Sequence, residues 1–424
     1  MGMTPSFKKN ALMFMGVASL ALFGSCSTQK HASQPVPAKN VEHVRTTKDL
    51  LPRRVVLDTP ANSERKKAGV VALPSAAAGL SASLQKIGEK FDGDVGIAVS
   101  DIQTGWTSHF GGTSLYPQQS VSKLWVALTA LDLSDRGELD LSERITLGPG
   151  DLAVFHQPIR ELALQPGGYS TTLGDLLFRA ITRSDNMAND VLLWRSGGPE
   201  AVRAFLHRKG ITNVRFGPGE RLLQSGIAGL EWKPDYSLGR RFYAARADVP
   251  TETRRASFEA YVADPVDGAA PVGVVDALAR LSKGEILSAS ATDRVLSIMR
   301  QTQTGRLRLK AGLPAGWKLG HKTGTGQIFG GEQAGYNDIG IMTSPAGRSY
   351  AIAVFIGRTS EPVQARTALM HKSVRAVVSY ERDLMRQQRR SAKSGSEGAS
   401  DERGFATAKV PSRGPEQGYS AREG

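Results

Sequence analysis

Gln118-Gln119-Ser120-Val121-Ser122-Lys123-Leu124-Trp125-Val126-Ala127-Leu128 is the stretch around which the chain is organised: a polar Ser-x-x-Lys step opens directly into an apolar run of helical length. At that spacing Ser120 and Lys123 share one helical face, a turn apart. A serine hydroxyl is a poor nucleophile near neutral pH and needs a base in hydrogen-bond reach. A lysine one turn on can serve when burial lowers its pKa. The free N–H groups of a helix N-terminus also favour negative charge that develops beside them. The same residues equally suit a helix cap and a solvated lysine, so the pattern gains meaning only from its company further along the chain.

Two more short motifs come in order, Ser184-Asp185-Asn186 and Lys322-Thr323-Gly324. Alone, Ser184 reads as a helix N-cap and Lys-Thr-Gly as a strand ending in a turn. Three such motifs in one order are far rarer by chance than one. Around them, residues 94–101 alternate into an apolar run, break at Thr104-Gly105 and resume over 106–110, as a hairpin would. Residues 173–181, 187–194 and 200–209 read as helices, the last two punctuated by Gly197-Gly198-Pro199. Strands return late, at 317–322, 338–342 and 350–356, before a helix from Val363 to about Arg386. Strands from both ends with helices between them imply one sheet interrupted by a helical insertion.

The 424 residues are 40% hydrophobic and 22% charged, enough for a sizeable core. The net charge of +14 is spread along the chain without aromatic interleaving or a nucleic-acid motif, so it reads as a generally basic surface and no nucleic-acid partner is expected. Residues 1–26 hold Lys8, Lys9, an apolar core at 11–23 and Gly24-Ser25-Cys26, the layout of an export signal too short to span a membrane comfortably. Residues 27–78, interrupted by prolines, read as a flexible tether, 79–386 as the folded domain, and 387–424 as a disordered tail. Cys26 is the only cysteine, so disulfides are excluded in an exported domain. His109, His156 and His321 are not spaced as a metal cluster.

On these motifs, residues from about 80 to 386 resemble a class A β-lactamase, a serine enzyme of the penicillin-recognising superfamily. Gly312-Leu313-Pro314-Ala315-Gly316-Trp317 resembles the family's approach to Lys-Thr-Gly, Tyr336-Asn337-Asp338-Ile339-Gly340 resembles the strand after it, and Phe155 falls where the family has an aromatic gatekeeper. The resemblance implies an α/β fold, an αβα sandwich with an antiparallel sheet, an inserted helical lobe and a cleft between the two. It implies Ser120 as acylated nucleophile, Lys123 as base or proton shuttle, and Ser184 as proton relay to the leaving nitrogen. Asn186 would hold Lys123 or the substrate amide. Lys322 and Thr323 would receive the substrate carboxylate, on a strand whose Gly324 allows close approach. The N–H groups of Ser120 and Thr325 would form the oxyanion hole.

Glu220 would activate the deacylating water, in Glu220-Arg221-Leu222-Leu223-Gln224, where Gln224 replaces the family's asparagine. Pro218 stands where the family commonly has an arginine that ties this loop down, and the segment from Ser225 to about Gly268 is longer than usual. Cys26 resembles the lipidated cysteine of a lipobox, with Phe23 departing from the preferred aliphatic residue. The expectation is therefore a monomeric β-lactam hydrolase without metal or organic cofactor, exported to the periplasm and touching the membrane only through its N-terminal anchor. Two alternatives stay open: a D,D-peptidase or penicillin-binding-like enzyme, from which Glu220 discriminates, and a non-catalytic envelope binding protein on the same fold.

Overall fold

The computed structural model describes residues 75–404. The export signal with Cys26, the tether as far as residue 74 and the tail from residue 405 lie outside the described residues. Five antiparallel strands run in the spatial order β2 (Thr107–Phe110), β1 (Asp94–Asp101), β5 (Ser349–Thr359), β4 (Tyr336–Thr343), β3 (Lys318–Thr325). Two short strands, Ile328–Phe329 and Glu332–Ala334, extend the sheet beside β5.

The period of two along the strands explains the layers. In β5, Tyr350, Ile352, Val354 and Ile356 enter one core, and Ala351, Ala353 and Phe355 enter the other. The first face is covered by α1 (Ser75–Glu89) and by the helix that begins at Val363, through Leu80, Leu84, Met370, Val374 and Val377. The opposite face meets α9 (Pro271–Ser282) through Val274, Val275, Leu278 and Leu281. Between β2 and α9 the lobe is built from α2 (Lys123–Asp135), α3 (Leu173–Thr182), α4 (Asn186–Arg195), α5 (Gly198–Arg208), α6 (Glu220–Ile227), α7 (Arg241–Asp248) and α8 (Thr251–Ala263). α10 (Ala289–Arg300) then leads back to β3, and α11 (Val363–Gly404) closes the chain. This is the sandwich with an inserted helical lobe that the motif order implies.

Two boundaries differ from the sequence reading. α1 begins at Ser75 with Ala76 and Ala77 already buried, so the folded domain starts before residue 79. Its stripe of Ala76, Ala77, Leu80, Leu84 and Gly88 has helical spacing, and its first two members fall within the stretch that the prolines mark as tether. At the far end α11 continues to Gly404, where low hydrophobicity predicts disorder from residue 387. Poverty in apolar residues argues against burial, not against helix. The 387–404 stretch holds four serines and three glycines, poor helix formers, but no proline, so nothing in it breaks a helix already nucleated upstream.

The sheet and the nucleophile turn are joined by one side chain. Asn337 on β4 donates from Nδ2 to the carbonyls of Pro117 (2.7 Å) and Gln118 (3.1 Å), while its Oδ1 accepts from the N–H of Ile356 (3.2 Å). It is fully buried, so truncation leaves backbone groups without partners. Asn337→Ala should lower unfolding stability by about 2–3 kcal/mol. A loss below about half a kcal/mol in urea unfolding would show that this junction carries no such burden.

Candidate active site

α2 is buried on every side from Lys123 to Asp132, as a helix through the middle of a lobe must be. Ser120 lies just before it in a 3-10 turn, Gln119–Ser122. That turn is pinned from behind. Gln118 Oε1 accepts from the Trp125 indole (2.6 Å), and its Nε2 donates to the carbonyls of Arg215 (2.9 Å) and Asp267 (2.6 Å). Gln119 has φ +53°, a strained value for a side chain with a Cβ, and its N–H donates to Asp267 Oδ2 at 2.7 Å. β3 presses on the same turn: a Cβ added to Gly324 would lie 2.3 Å from the Gln118 carbonyl oxygen, so only glycine allows this approach.

Lys123 Nζ donates to Ser120 Oγ (2.6 Å), Asn186 Oδ1 (2.9 Å) and Glu220 Oε2 (3.3 Å). The lysine is fully buried, so the contact with Glu220 is a buried ion pair. The structure therefore joins four residues from three separate motifs around a single ammonium. Asn186 opens α4, whose N-cap is Asp185 accepting from the Ala188 N–H, and its Nδ2 donates to the Val154 carbonyl (2.7 Å) and Glu220 Oε1 (3.1 Å). The cap role that Ser184 could fill thus falls to Asp185, and Ser184 is free for the cleft.

Ser184 sits at φ +57° and its Oγ accepts from Lys322 Nζ at 2.9 Å. Lys322 also donates to the Thr323 carbonyl (2.8 Å), and Thr323 Oγ1 pairs with Thr304 Oγ1 (2.8 Å). Complete burial, with the positive charges of Lys123 and Arg308, holds the Lys322 ammonium well below the usual lysine range. Such a group gains from an incoming carboxylate. Arg308, which no motif signals, lies with its guanidinium 3.8 Å from the Tyr336 ring centroid. It donates to the carbonyls of Gly324 (2.8 Å) and Asn337 (2.6 Å) and to Thr325 Oγ1. It fixes the end of β3 at Gly324 and Thr325.

Glu220 enters from a loop that turns at Gly219 (φ +96°) into α6. Although Pro218 replaces the usual arginine tie, the loop is tied by other residues. Asp190 Oδ1 accepts the Glu220 N–H (3.0 Å), and Gln224 donates from Nε2 to both Glu220 Oε1 (3.1 Å) and Gln119 Oε1 (2.9 Å). Gln224, the departure from the family's asparagine, therefore still reaches the carboxylate, and it also clamps it to the nucleophile turn. Its own Oε1 accepts from Gln327 Nε2 (3.0 Å). On the other side of the turn, Gln119 Nε2 donates to the Tyr261 hydroxyl (2.6 Å), which donates on to Asp267 Oδ1 (3.0 Å). Burial and the Glu220 charge raise Asp190 to about 6. Burial raises Asp267 to about 7, and Glu220 adds to that rise.

A carboxyl whose folded pKa lies above its unfolded value stabilises the fold fully below the unfolded pKa, and that contribution is lost as pH rises through the folded one. For Asp267 the window runs from about pH 4 to pH 7. Asp267→Asn, neutral and still able to accept from Gln119, should flatten the decline of unfolding stability across that window and leave the shallower contribution of Asp190. Parallel pH profiles for parent and variant would refute this reading of Asp267.

Phe155, at φ +60°, packs edge-on against Phe242 (5.0 Å between centroids) and tilted against Tyr243 (5.7 Å). It abuts the site through Val154, whose carbonyl holds Asn186. His321 is buried and bonded to Asp338 through Nδ1 (2.9 Å). Among the described residues no group of three or more His, Cys, Asp and Glu is arranged to hold a metal ion.

A serine in a turn before a buried helix, a lysine bonded to it and a Lys-Thr-Gly strand pressed against the same turn make up this site. Residues 79–380 match the β-lactamase enzyme family, and the chain belongs to it. Its relatives place it more narrowly, in the class A family. β-Lactamase VEB-1 of Pseudomonas aeruginosa is 28% identical over 268 residues, 63% of this chain and 78% of that protein. A solved β-lactamase structure from Chitinophaga pinensis superposes with a TM-score of 0.57 at 27% identity, covering 70% of this chain and 97% of that one. An ancestral class A β-lactamase reaches 30% identity with a TM-score of 0.56, over 70% and 98% of the two chains.

Proposed function

We propose that the chain hydrolyses β-lactams through an acyl-enzyme on Ser120. Ser120 Oγ attacks the ring carbonyl carbon, its proton passes to the Lys123–Glu220 pair, and the oxyanion is met by the N–H groups of Ser120 and Thr325. As the C–N bond breaks, Ser184 Oγ–H protonates the nitrogen and is reprotonated from Lys322 Nζ, 2.9 Å away, which regains the proton that the Lys123–Glu220 pair took from Ser120, so that Lys322 is charged and Glu220 is a carboxylate again. Lys322 and Thr323 receive the substrate carboxylate. Glu220 then takes a proton from water, whose oxygen attacks the ester carbonyl, and Ser120 leaves with that proton.

The observation that carries this reading over a D,D-peptidase is Glu220: its Oε2 lies 3.3 Å from the same Lys123 Nζ that bonds Ser120. A carboxylate is thus at hand for deacylation as well as acylation. The same buried array argues against a mere binding protein, because a lysine and a glutamate held out of water at a serine are costly unless they act. Mass spectrometry of the purified chain mixed with a penicillin tests it: an adduct that forms and decays while the drug is consumed is expected. An adduct that persists on the parent chain would favour the peptidase-like reading, and no adduct at all would leave only a binding role.

A further inference from the structure

The side of the sheet covered by α1 and α11 carries a pocket of about 360 Å³, within the range of about 300–1,000 Å³ that small-molecule sites occupy. Trp317, on the approach to β3, and Pro345, in the turn between β4 and β5, form one wall. α11 forms the other through Val378, Met385 and polar residues that recur at spacings of three and four, so that one helical face is turned inward. Trp317 is held in place by stacking on Tyr350, with 6.0 Å between centroids, and it packs with Val378 on the core of this layer. Val121 and Leu124, which flank the Ser120–Lys123 step, belong to the opposite core, so the pocket is separate from the catalytic cleft. It also lies largely outside what the chain shares with its family. The family match ends at residue 380, and Glu381, Arg382, Met385, Arg386 and Arg389 line the pocket beyond it.

The polar groups of the pocket are sorted by sign and by depth. Glu381 is only 5% exposed, and its Oε2 is buried without a hydrogen-bond partner. Among the described residues no cation stands within ion-pair distance of it, although three arginines line the same pocket. A carboxylate oxygen withdrawn from water without a donor is costly, and an N–H group brought in by a ligand removes that cost. The arginines are the exposed members. Arg382 donates to the Ser379 hydroxyl (3.1 Å) and Arg386 to Asp383 at 3.5 Å, while among the described residues Arg389 has no carboxylate within ion-pair distance. Between the buried anion and the exposed cations the lining is apolar.

We propose that this pocket binds a zwitterion whose ammonium and carboxylate stand at opposite ends of an apolar body. The ammonium enters to meet Glu381 Oε2, the body lies against Trp317 and Met385, and the carboxylate stays at the rim among Arg382, Arg386 and Arg389. The two signs set both the class and the orientation. A purely anionic amphiphile would suit the rim but leave Glu381 without a donor, and a purely cationic one would reach Glu381 only past three like charges. The site is independent of the chemistry at Ser120.

Three benzene derivatives of similar size separate the contributions: 4-(aminomethyl)benzoate carries both charges, 4-methylbenzoate lacks the ammonium, and 4-methylbenzylamine lacks the carboxylate. In calorimetric titrations of the purified chain at neutral pH and low salt, the zwitterion should bind about tenfold or more tighter than either relative. Added salt should shrink its advantage over 4-methylbenzylamine, because the rim arginines are exposed and screened, and should spare its advantage over 4-methylbenzoate, because Glu381 is buried. In Glu381→Gln, a nearly isosteric change, the zwitterion should bind no tighter than 4-methylbenzoate. The three-probe comparison and the salt series use the parent chain, so they do not depend on any variant folding. Equal affinities for the three probes, or no binding of the zwitterion at millimolar concentration, would overturn the proposal. Binding of the zwitterion that Glu381→Gln leaves unchanged would place it elsewhere, at Lys322 in the cleft for instance, and would overturn the assignment to this pocket.

Discussion

Ser120→Ala should leave no acyl adduct on the protein and reduce β-lactam turnover by on the order of a millionfold, the scale lost when a serine hydrolase is deprived of its nucleophile. The large effect comes from geometry. Ser120 Oγ is the hydroxyl that Lys123 Nζ meets at 2.6 Å, in a turn against which Gly324 of β3 is pressed. The fold should tolerate the change. The turn is held by Gln118, Gln119 and Asn337, and Lys123 keeps Asn186 and Glu220 as partners. Undiminished labelling of Ser120→Ala by a penicillin would remove Ser120 from the mechanism altogether. Loss of labelling accompanied by loss of the cooperative unfolding transition would instead make it a residue of the fold.

How much of this site is legible in sequence depends on how far each partner lies along the chain. Ser120 and Lys123 are a turn apart, and local spacing predicts their contact. Lys322 and Ser184 are read from short motifs that each announce a local geometry, but their 2.9 Å hydrogen bond joins residues 138 positions apart, and only the order of motifs hints at it. Arg308, Asp190, Tyr261 and Asp267 carry no such signal. A lone arginine before a strand or an aspartate inside a helix is ordinary until tertiary packing buries it against a carbonyl or a carboxylate.

The inserted segment is illegible for a different reason. α7 buries only Phe242, and α8 only Phe258 and Tyr261, too few apolar positions to show a helical period. These helices dock by aromatic packing and arginine contacts rather than by an apolar stripe. α9 and α10, by contrast, carry local start signals. Pro271 stands at the first turn of one, and Ser288 caps the other by accepting from the Ala291 N–H. The extent of α11 teaches the converse, since composition reports whether a face is buried and says little about whether the backbone coils.

Glu220→Gln should convert a turnover enzyme into one that is labelled and stays labelled. Without Glu220, acylation still has Ser120, the lysine beside it as base and the oxyanion hole, whereas deacylation loses its base for water. Loss of a general base costs about a hundred- to ten-thousand-fold in rate. The substitution is close to isosteric, and its consequences can be traced atom by atom. The glutamine Oε1 can still accept from Asn186 and Gln224, as Glu220 Oε1 does at 3.1 Å from each. Its Nε2 then faces the Lys123 ammonium, donor against donor, where Glu220 Oε2 accepted. Acylation should therefore slow as well, but less than deacylation, so the adduct accumulates and persists over hours in mass spectra. If Glu220→Gln instead hydrolyses a chromogenic cephalosporin as fast as the parent, Glu220 is a bystander. The structure then directs attention to Asp267, a buried carboxyl raised to about 7 that already bonds the N–H of Gln119, next to the nucleophile. Asp267 could reach water at the ester only by a shift of the Gln119 turn, so a Glu220-independent enzyme would also have to be one in which that strained turn moves.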